Sequence, residues 1–323
     1  MTRNLKQEAK DIVQIMKAYY SNNTVLKMNA LRNAFKNPVW RVQLFGIEKA
    51  MIVKLIMDAS QLPGKGIEVA CFSFLLKLMP DFPVPKILIF DRTKNIVDCD
   101  FIIEEEVEGQ DLCYVIERMQ ARRDFMLNLG NVIGRLHSIT FDSCGYFDED
   151  FNQITHCSWV SLVNSLFEKY LYDIESKSSL EDGMILMIRR YWKDSQDYLQ
   201  MTSMPSLIHD DLTDRNIRVR EIGVNHYVIS GILDFELCMI GDPIKDLSKL
   251  QWFLRKFPLE RRFFYEEYGS HIQLEDSFDR KIEAYCLLDR LKHFSLKEYL
   301  IKFEGWASFL ADGEEEIKRI VLR

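Results

Sequence analysis

Residues 206–216 read S-L-I-H-D-D-L-T-D-R-N, and Asp234 follows Asn216 by eighteen positions in G-I-L-D-F-E. Three side chains here have types and spacings suited to phosphoryl transfer. Asp211, beside a polar loop, can orient a hydroxyl. The Asn216 amide five residues on and the Asp234 carboxylate on the next strand are hard oxygen donors of the kind Mg²⁺ prefers. That reaction asks a protein mainly to position groups and neutralise charge. H-x-D-x-x-x-x-N alone is a weak signature, and its conjunction with the later strand-borne acid is what discriminates. Polar groups among short apolar strands are costly unless partnered.

A phosphate-bearing donor needs a cation. Met51-Ile52-Val53-Lys54-Leu55-Ile56 places a lysine in the middle of an apolar strand. A buried ammonium is expensive unless paired, and Glu68, at the expected start of the next helix, is placed to pair with it. The simpler alternative is an edge-strand lysine facing water, and the downstream motif weighs against it.

The elements that must hold these groups are legible as periodicities. Leu5, Ala9, Ile12, Met16 and Tyr19 recur at helical spacing. The period then changes to two: Val42 and Leu44 alternate with Arg41 and Gln43, and β-rich runs follow at Met51–Met57, Lys86–Phe90 and Phe101–Val107. A helix is predicted over Glu68–Met79, bounded by Gly64 and Gly66 before it and by Pro80, Pro83 and Pro85 after it. Beyond Gly109 the pattern is helical, with one stripe at Leu129, Val132, Ile133, Leu136 and Ile139. A β island returns at Leu207–His209, Ile217–Val219 and Tyr227–Leu233. The expectation is an α+β chain of two lobes. A small antiparallel-sheet lobe covers residues 1–106, and a large, mainly helical lobe covers 107–323 and carries the catalytic loop.

Composition bounds the function. At 323 residues the chain is too long for one compact core. Its net charge of −7, without a basic run, speaks against nucleic acid as partner. Apolar runs are broken by charge well before the roughly 20 residues that a membrane helix takes, and the N-terminus lacks the apolar core of a secretory signal. The seven cysteines are odd in number, scattered and never C-x-x-C, which fits reduced thiols rather than a zinc site or a disulfide framework. A soluble cytoplasmic protein is expected, with no membrane and no nucleic-acid partner.

In order along the chain, Lys54, Glu68, F-I-I-E-E-E-V-E-G-Q-D-L, L-G-N-V-I-G-R-L-H-S, H-D-D-L-T-D-R-N, I-L-D-F-E and G-D-P-I-K-D-L resemble the aminoglycoside phosphotransferase and choline kinase family. The likeness covers roughly residues 30–255, and the last three motifs in order are specific. It implies a protein-kinase-like fold, with ATP or GTP as phosphoryl donor and Mg²⁺ as cofactor. By position it makes Asp211 the catalytic residue, Asn216 and Asp234 the Mg²⁺ ligands, and Lys54 the contact to the α- and β-phosphates, held by Glu68. Backbone groups of Glu105 and Val107 would meet the adenine edge, with Leu233 also in the nucleotide site. His209 would support the catalytic loop. Glu236 is open between a metal or substrate contact and a solvated carboxylate. Asp246 is open between bracing the loop and serving the helix dipole as a first-turn acid. Asp242 before Pro243 reads independently as an N-cap.

Departures from the family pattern matter. The segment that should cover the phosphates, Asn33-Ala34-Phe35-Lys36-Asn37-Pro38-Val39-Trp40, has no glycine, and Pro38 lacks a backbone donor. Lys36 or Asn37 is a substitute grip. Arg218 stands where an apolar residue under the base is usual, and either stacks on the base or marks a strand rotated by one residue. Arg215 is open between offsetting phosphoryl charge and simple solvation. Gly64-Lys65-Gly66 fails as a P-loop, and Asp148, Asp150 and Asn152 fail as a calcium loop and read as a solvated turn. His137 reads as a satisfied helix-end histidine.

The leading expectation is a phosphotransferase acting on a hydroxyl of a small molecule. Acidic stretches at Asp148–Asp150, Glu175, Glu181–Asp182 and Glu275–Asp279 suggest a cationic acceptor such as an aminoglycoside or related antibiotic, and so resistance by O-phosphorylation. A metabolic kinase for choline, an amino alcohol or homoserine is the alternative. A nucleotide-binding pseudokinase is supported only by the glycine-free loop. A protein substrate is disfavoured because Asp234 is followed within eight residues by G-D-P.

Overall fold

The computed structural model describes residues 4–31, 37–156, 158–201, 203–303 and 305–322. In chain order the first elements are α1 (Leu5–Tyr19), β1 (Val25–Leu31), β2 (Val39–Leu44), β3 (Met51–Ile56), α2 (Leu62–Leu78), β4 (Ile87–Asp91), β5 (Asp100–Glu105), β6 (Gln110–Asp111) and α3 (Leu112–Val115). Then come α4 (Arg122–His137), β7 (Gly145–Phe147), β8 (Gln153–Thr155), α5 (Trp159–Ser176), α6 (Asp182–Asp194), β9 (Ser206–Ile208), β10 (Ile217–Gly223), β11 (His226–Ile232) and β12 (Met239–Gly241). Five helices finish the chain: α7 (Pro243–Leu254), α8 (Arg261–Gly269), α9 (Phe278–Ser295), α10 (Lys297–Leu300) and α11 (Trp306–Val321).

The contacts divide the chain into two compact units that interleave along the sequence. One takes residues 1–121, 147–152 and 215–237, and the other takes 122–146, 153–214 and 238–323. The first holds a five-stranded antiparallel sheet ordered β1-β2-β3-β5-β4 and a small sheet ordered β11-β10-β6. Strand alternation decides what each face does. Val42, Leu44, Val53, Leu55 and Ile103 pack with Ile12, Ile15 and Met16 of α1 in one apolar cluster. Lys54, between Val53 and Leu55, points the other way, opposite Ile102. The Trp40 indole donates to Glu8 (3.1 Å), and the Tyr19 hydroxyl donates to Asp91 (2.6 Å), which fixes both ends of α1. The α1 stripe is shifted from the expected one. Ile15 is fully buried, whereas Leu5 is 52% exposed, because it lies in the first turn, before the helix meets the sheet.

α2 begins earlier than the glycines suggest, at Leu62 with Pro63 in its first turn. Gly64 and Gly66 lie inside the helix, and their role is close packing. A Cβ on Gly64 would sit 3.3 Å from the Glu236 side chain, and one on Gly66 would sit 3.2 Å from that of Glu149. Segments 235–237 and 147–152 can therefore lie against the first turns of α2, and Phe72 meets Phe235 edge-on one face further along.

The second unit is mainly helical. α9 packs against α5, α7 and α11, and α4 packs against α8. A four-stranded sheet ordered β8-β7-β12-β9 is set among these helices. β9 leads directly into the His209–Asp211 loop, and β12 leads into α7, so pairing of Met239–Gly241 with Ser206–Ile208 brings the start of α7 to that loop. Among the described residues no helix is long and apolar enough to cross a membrane.

Gly109, at φ 109°, lets the segment after β5 pass over β10. An added Cβ would lie 2.1 Å from the Val219 carbonyl oxygen. Gly109→Ala is therefore expected to destabilise the protein by at least about 2 kcal/mol, combining a left-handed alanine with a backbone clash. Urea or thermal unfolding measures it, and an unchanged midpoint would refute the close approach.

Candidate active site

The first unit assembles a charge cluster around α2. The Lys54 ammonium lies 2.8 Å from Glu68 Oε1 and 3.0 Å from Glu104 Oε2. Burial works against this ammonium, but the two carboxylates outweigh it and hold its pKa above the ordinary lysine value. Glu68 is fully buried. Desolvation would raise it, yet Lys54 and Lys65 together hold it well below the usual carboxylate range. The expected Lys54–Glu68 pair is thus present, and Lys54 is not an edge lysine in water.

Lys65 is the residue that the sequence reading left out. Its ammonium reaches Glu68 Oε2 (2.6 Å), Glu236 Oε2 (2.9 Å) and Asp234 Oδ1 (3.2 Å). The signal was present, since Lys65 precedes Glu68 by one helical turn and residues three apart share a helix face. Glu104 was also missed. Ile102 stands opposite Lys54, and strand alternation places Glu104, two residues on, on that same face. Glu236 belongs to the cluster rather than to solvent.

Carboxylate oxygens of Glu68, Asp234 and Glu236 lie within 4.8 Å of one another. Two ammonium groups, Lys54 and Lys65, face four carboxylates, counting Glu104. Burial and the neighbouring Glu68 and Glu236 push Asp234 up to about 6 against the pull of Lys65, and Glu104 is raised chiefly by burial. A cluster with this excess of acid fits a divalent cation bound through hard oxygens. Asp234 itself sits in the left-handed region at φ 68°, a strained conformation of the kind stored at functional sites. The Leu233 N–H donates to the Asn216 carbonyl (2.9 Å), which ties the two candidate metal positions to paired strands.

Arg218 has protein partners, and the β10–β11 pairing shifts register between Arg218 and Val219. Its guanidinium donates to Asp111 (2.9 Å) and to the carbonyls of Val107 (3.2 Å) and Gly109, and so fastens β10 to the segment after β5. Glu105 donates its N–H to the Lys86 carbonyl (2.9 Å), and its side chain meets Lys49 and Lys86. Asn37 bridges Gln61 and the Met57 N–H. Residues 32–36, including Lys36, lie outside the described residues. Arg215 is exposed. Asp148 accepts from the N–H groups of Asp150 and Asn152 (3.0 and 2.8 Å), as a turn residue does.

The second unit holds the His209–Asp211 loop. Asp246, fully buried in the first turn of α7, accepts the backbone N–H groups of His209 (2.5 Å) and Asp210 (2.7 Å). It also meets His137 Nε2 at 3.2 Å, while His137 Nδ1 meets the Tyr268 hydroxyl at 2.9 Å. Because a carboxylate only accepts, Nε2 carries the proton and Nδ1 accepts from Tyr268. Asp246 therefore braces the loop, and His137 is a satisfied interior histidine. Asp210 sits at φ 60°, a left-handed position that aspartate tolerates. His209 is buried, and its Nδ1 accepts the Asp211 N–H at 3.2 Å. Asp242 caps α7 through the Ile244 N–H (2.9 Å) and also holds Tyr285 and Lys281.

Asp211 keeps 36% of its side-chain surface, and the Lys249 ammonium stands 3.5 Å from it. Burial would raise its pKa, but Lys249, Lys292 and His209 together hold it below the ordinary value, so it is ionised near neutral pH. Lys245 contacts Asp210, and Lys249 contacts Asp289. Neither lysine was anticipated as part of the site.

Residues 27–277 match the model of the phosphotransferase enzyme family. Acyl-CoA dehydrogenase family member 11 of Rattus norvegicus is 25% identical over 214 residues, 64% of this chain, and the match spans 25% of that protein's length. Among solved structures, aminoglycoside phosphotransferase APH(4)-Ia superposes with a TM-score of 0.72 at 13% identity over 97% of this chain and 98% of the other. The GDP complex of aminoglycoside 2'-phosphotransferase-IIIa gives 0.66 at 15% identity over 99% of both chains. A protein of Thermobifida fusca provisionally described as a fructosamine-3-kinase gives 0.66 at 16% over 96% and 99%. These structures share the expected two-lobe, protein-kinase-like fold.

Lys65→Met would leave Glu68, Asp234 and Glu236 without their shared cation. We expect a loss of about 2–3 kcal/mol in metal-free buffer, below the full value for a buried pair because Asp234 and Glu236 remain partly exposed. Mg²⁺ should restore more melting temperature to the variant than it adds to the wild type, since the vacated carboxylates take up the ion. Equal responses to EDTA and Mg²⁺ in the two proteins would contradict the shared-cation role.

Proposed function

We propose, for a chain that belongs to the phosphotransferase enzyme family, that it moves the γ-phosphoryl group of ATP or GTP to a hydroxyl of a small molecule. The observation that carries this is the Asp211 carboxylate, held ionised by Lys249 on a loop pinned from behind by Asp246. The acceptor hydroxyl donates to Asp211 and its oxygen attacks the γ-phosphorus. The bond to the β,γ-bridging oxygen breaks, and its electron pair leaves on the nucleoside diphosphate. The hydroxyl proton passes to Asp211 and then to solvent. Positioned bases of this kind contribute about two to four orders of magnitude.

Asn216 and Asp234 would hold Mg²⁺, with Glu236 beside them, and the excess of carboxylates in that cluster supports the assignment. When bound, Mg²⁺ neutralises charge on the nucleotide phosphates. Lys54, fixed by Glu68 and Glu104, is oriented for the α- and β-phosphates, and Glu105, Val107 and Leu233 remain the proposed nucleotide contacts. Six described cysteines are free thiols, which suits a reducing compartment such as the cytoplasm.

A cationic antibiotic as acceptor is suggested by fold neighbours such as the APH(4)-Ia complex with ADP and hygromycin B. Three of the acids that prompted the same idea from sequence have other partners. Glu175 binds Arg189 (3.0 Å), Glu275 binds Lys281 (2.9 Å), and Asp148 closes its own turn. A metabolic small-molecule kinase is the second reading, supported by the likeness to the Thermobifida fusca protein provisionally described as a fructosamine-3-kinase.

Asp234→Asn and Asp211→Asn should fail differently. The first is expected to lose both turnover and the Mg²⁺-dependent stabilisation by nucleotide, because a hard cation prefers an ionised carboxylate. The second should lose turnover by about two to four orders of magnitude yet keep the thermal shift given by Mg-ATP, which reports binding to the folded state alone. Melting curves beside initial rates on one accepted substrate distinguish the two. Full turnover in both variants would remove the assignment, and a wild type that binds Mg-ATP but phosphorylates nothing would be a pseudokinase.

A further inference from the structure

Lys65 is the fourth residue of α2, close to the helix end whose dipole disfavours an ammonium. What holds it there is a set of three carboxylates, one for each of its three donors. Glu68 Oε2 lies at 2.6 Å, Glu236 Oε2 at 2.9 Å and Asp234 Oδ1 at 3.2 Å. Burial opposes the charge, and the three acids outweigh burial. Close packing makes this reach possible, since the missing Cβ of Gly64 leaves room for Glu236 beside the helix. The other oxygen of Glu68 meets Lys54 at 2.8 Å, so one buried carboxylate holds two ammonium groups, one on each oxygen.

Two of the three Lys65 contacts are to Asp234 and Glu236, whose oxygens belong to the cluster that fits a divalent cation. Ammonium and metal compete for those oxygens, so a carboxylate that turns to a cation leaves Lys65. Lys65 then keeps Glu68 alone and has two donors to satisfy, with its side chain only 11% exposed. A buried ammonium short of anions is costly, which favours arrival of the cation together with a new anion. A nucleotide polyphosphate is an anion that comes with a divalent cation, and its oxygens accept strong, charge-assisted hydrogen bonds. The segment read as the phosphate cover is poorly suited to supply them. Asn33–Trp40 has no glycine, Pro38 has no N–H, and the Asn37 side chain is engaged with Gln61 and the Met57 N–H.

We propose that Lys65 is a second phosphate-binding lysine, which neutralises Glu68, Asp234 and Glu236 in the metal-free protein and moves to the terminal phosphates of the nucleotide when Asp234 and Glu236 turn to a divalent cation. This rests on the phosphotransfer reading, which supplies the nucleotide, and adds a residue that grips it. Glu68 tethers Lys65 in both states while it fixes Lys54. Removing the Lys65 ammonium therefore acts in opposite directions on the two ligands, tightening Mg²⁺ alone and loosening the Mg-nucleotide. A lysine that only stabilised the fold would not produce this opposition, and one that only stood in for the metal would tighten both.

The test is calorimetric titration of the full chain, wild type and Lys65→Met, with Mg²⁺ alone and with AMP, ADP and ATP in Mg²⁺. In Lys65→Met, Mg²⁺ alone is expected to bind about threefold or more tightly, ADP and ATP about tenfold or more weakly, and AMP within about twofold of the wild type. Lys65→Arg should recover most of the polyphosphate affinity. A cooperative melting transition in Mg²⁺ shows that a variant is folded, and Lys65→Gln replaces Met if that transition is lost. The wild type offers a measurement without substitution. Mg-ADP should shield Lys65 from an amine-acylating reagent, read by peptide mass, more than Mg-AMP does at equal saturation. Unchanged Mg²⁺ binding, or unchanged or tighter Mg-ADP binding, in a folded Lys65→Met or Lys65→Gln protein overturns this inference, as does equal shielding by the two nucleotides. Each of these leaves the phosphotransfer reading standing where the wild type phosphorylates an acceptor. Weaker Mg-ADP binding in the variant, beside a wild type that phosphorylates no acceptor, supports the role of Lys65 and removes the phosphotransfer reading. A wild type that binds no nucleotide overturns both.

Discussion

Burying a charge without its counter-charge costs several kcal/mol, and both units of this chain place their functional groups in apolar surroundings. The consequence is that each such group is found with partners that also position it. Lys54 is held by Glu68 and Glu104, Lys65 by Glu68, Asp234 and Glu236, and Lys249 by Asp211 and Asp289. Asp246 plays the same part for the backbone. One buried carboxylate satisfies two N–H groups of the His209–Asp211 loop and the proton of His137. These ion pairs are weak evidence of net stability. Their effect is geometric, since each allows only a narrow range of positions for the groups that do the chemistry.

Different neighbours push the two candidate aspartates in opposite directions. Asp211 lies among lysines and is held low, in the form that accepts a proton. Asp234 lies among carboxylates and is pushed up to about 6, in surroundings that a divalent cation would relieve. Two residues of one type are thereby suited to the different tasks proposed for them, which is the general route by which a fold runs acid–base and charge-neutralising chemistry together. Both tasks depend on unusual backbone. Asp234 and Asp210 each occupy the left-handed region, and at Asp210 the conformation is secured by Asp246 from the main-chain side and Lys245 from the side-chain side.

Much of this was legible in the chain itself. Period-two alternation and β-rich runs located β2 to β5 and β9 to β11, and a lysine inside an apolar run implied a buried acid partner. The spacing of Asp211, Asn216 and Asp234 pointed to phosphoryl transfer, in keeping with the phosphotransferase family to which the chain belongs. Asp242 before Pro243 announced the start of α7, which the structure bears out. The failures were local readings defeated by packing. Gly64 and Gly66 look like helix breakers, yet they lie within α2, where neighbouring segments need the space of a missing Cβ. The contacts of Arg218 were equally hidden, since it ties β10 to the carbonyls of Val107 and Gly109.

What the sequence determined by itself is therefore the set of short-range facts, namely element type, which residue faces inward, and motif spacing, because these follow from neighbours along the chain and the steric rules of the backbone. Tertiary structure decided the partners. Lys65 meets Asp234 across 169 positions, and Lys249 meets Asp289 across forty. Neither pairing is encoded in spacing, because it arises only when separate elements bury their apolar faces together and the charges left inside must find one another.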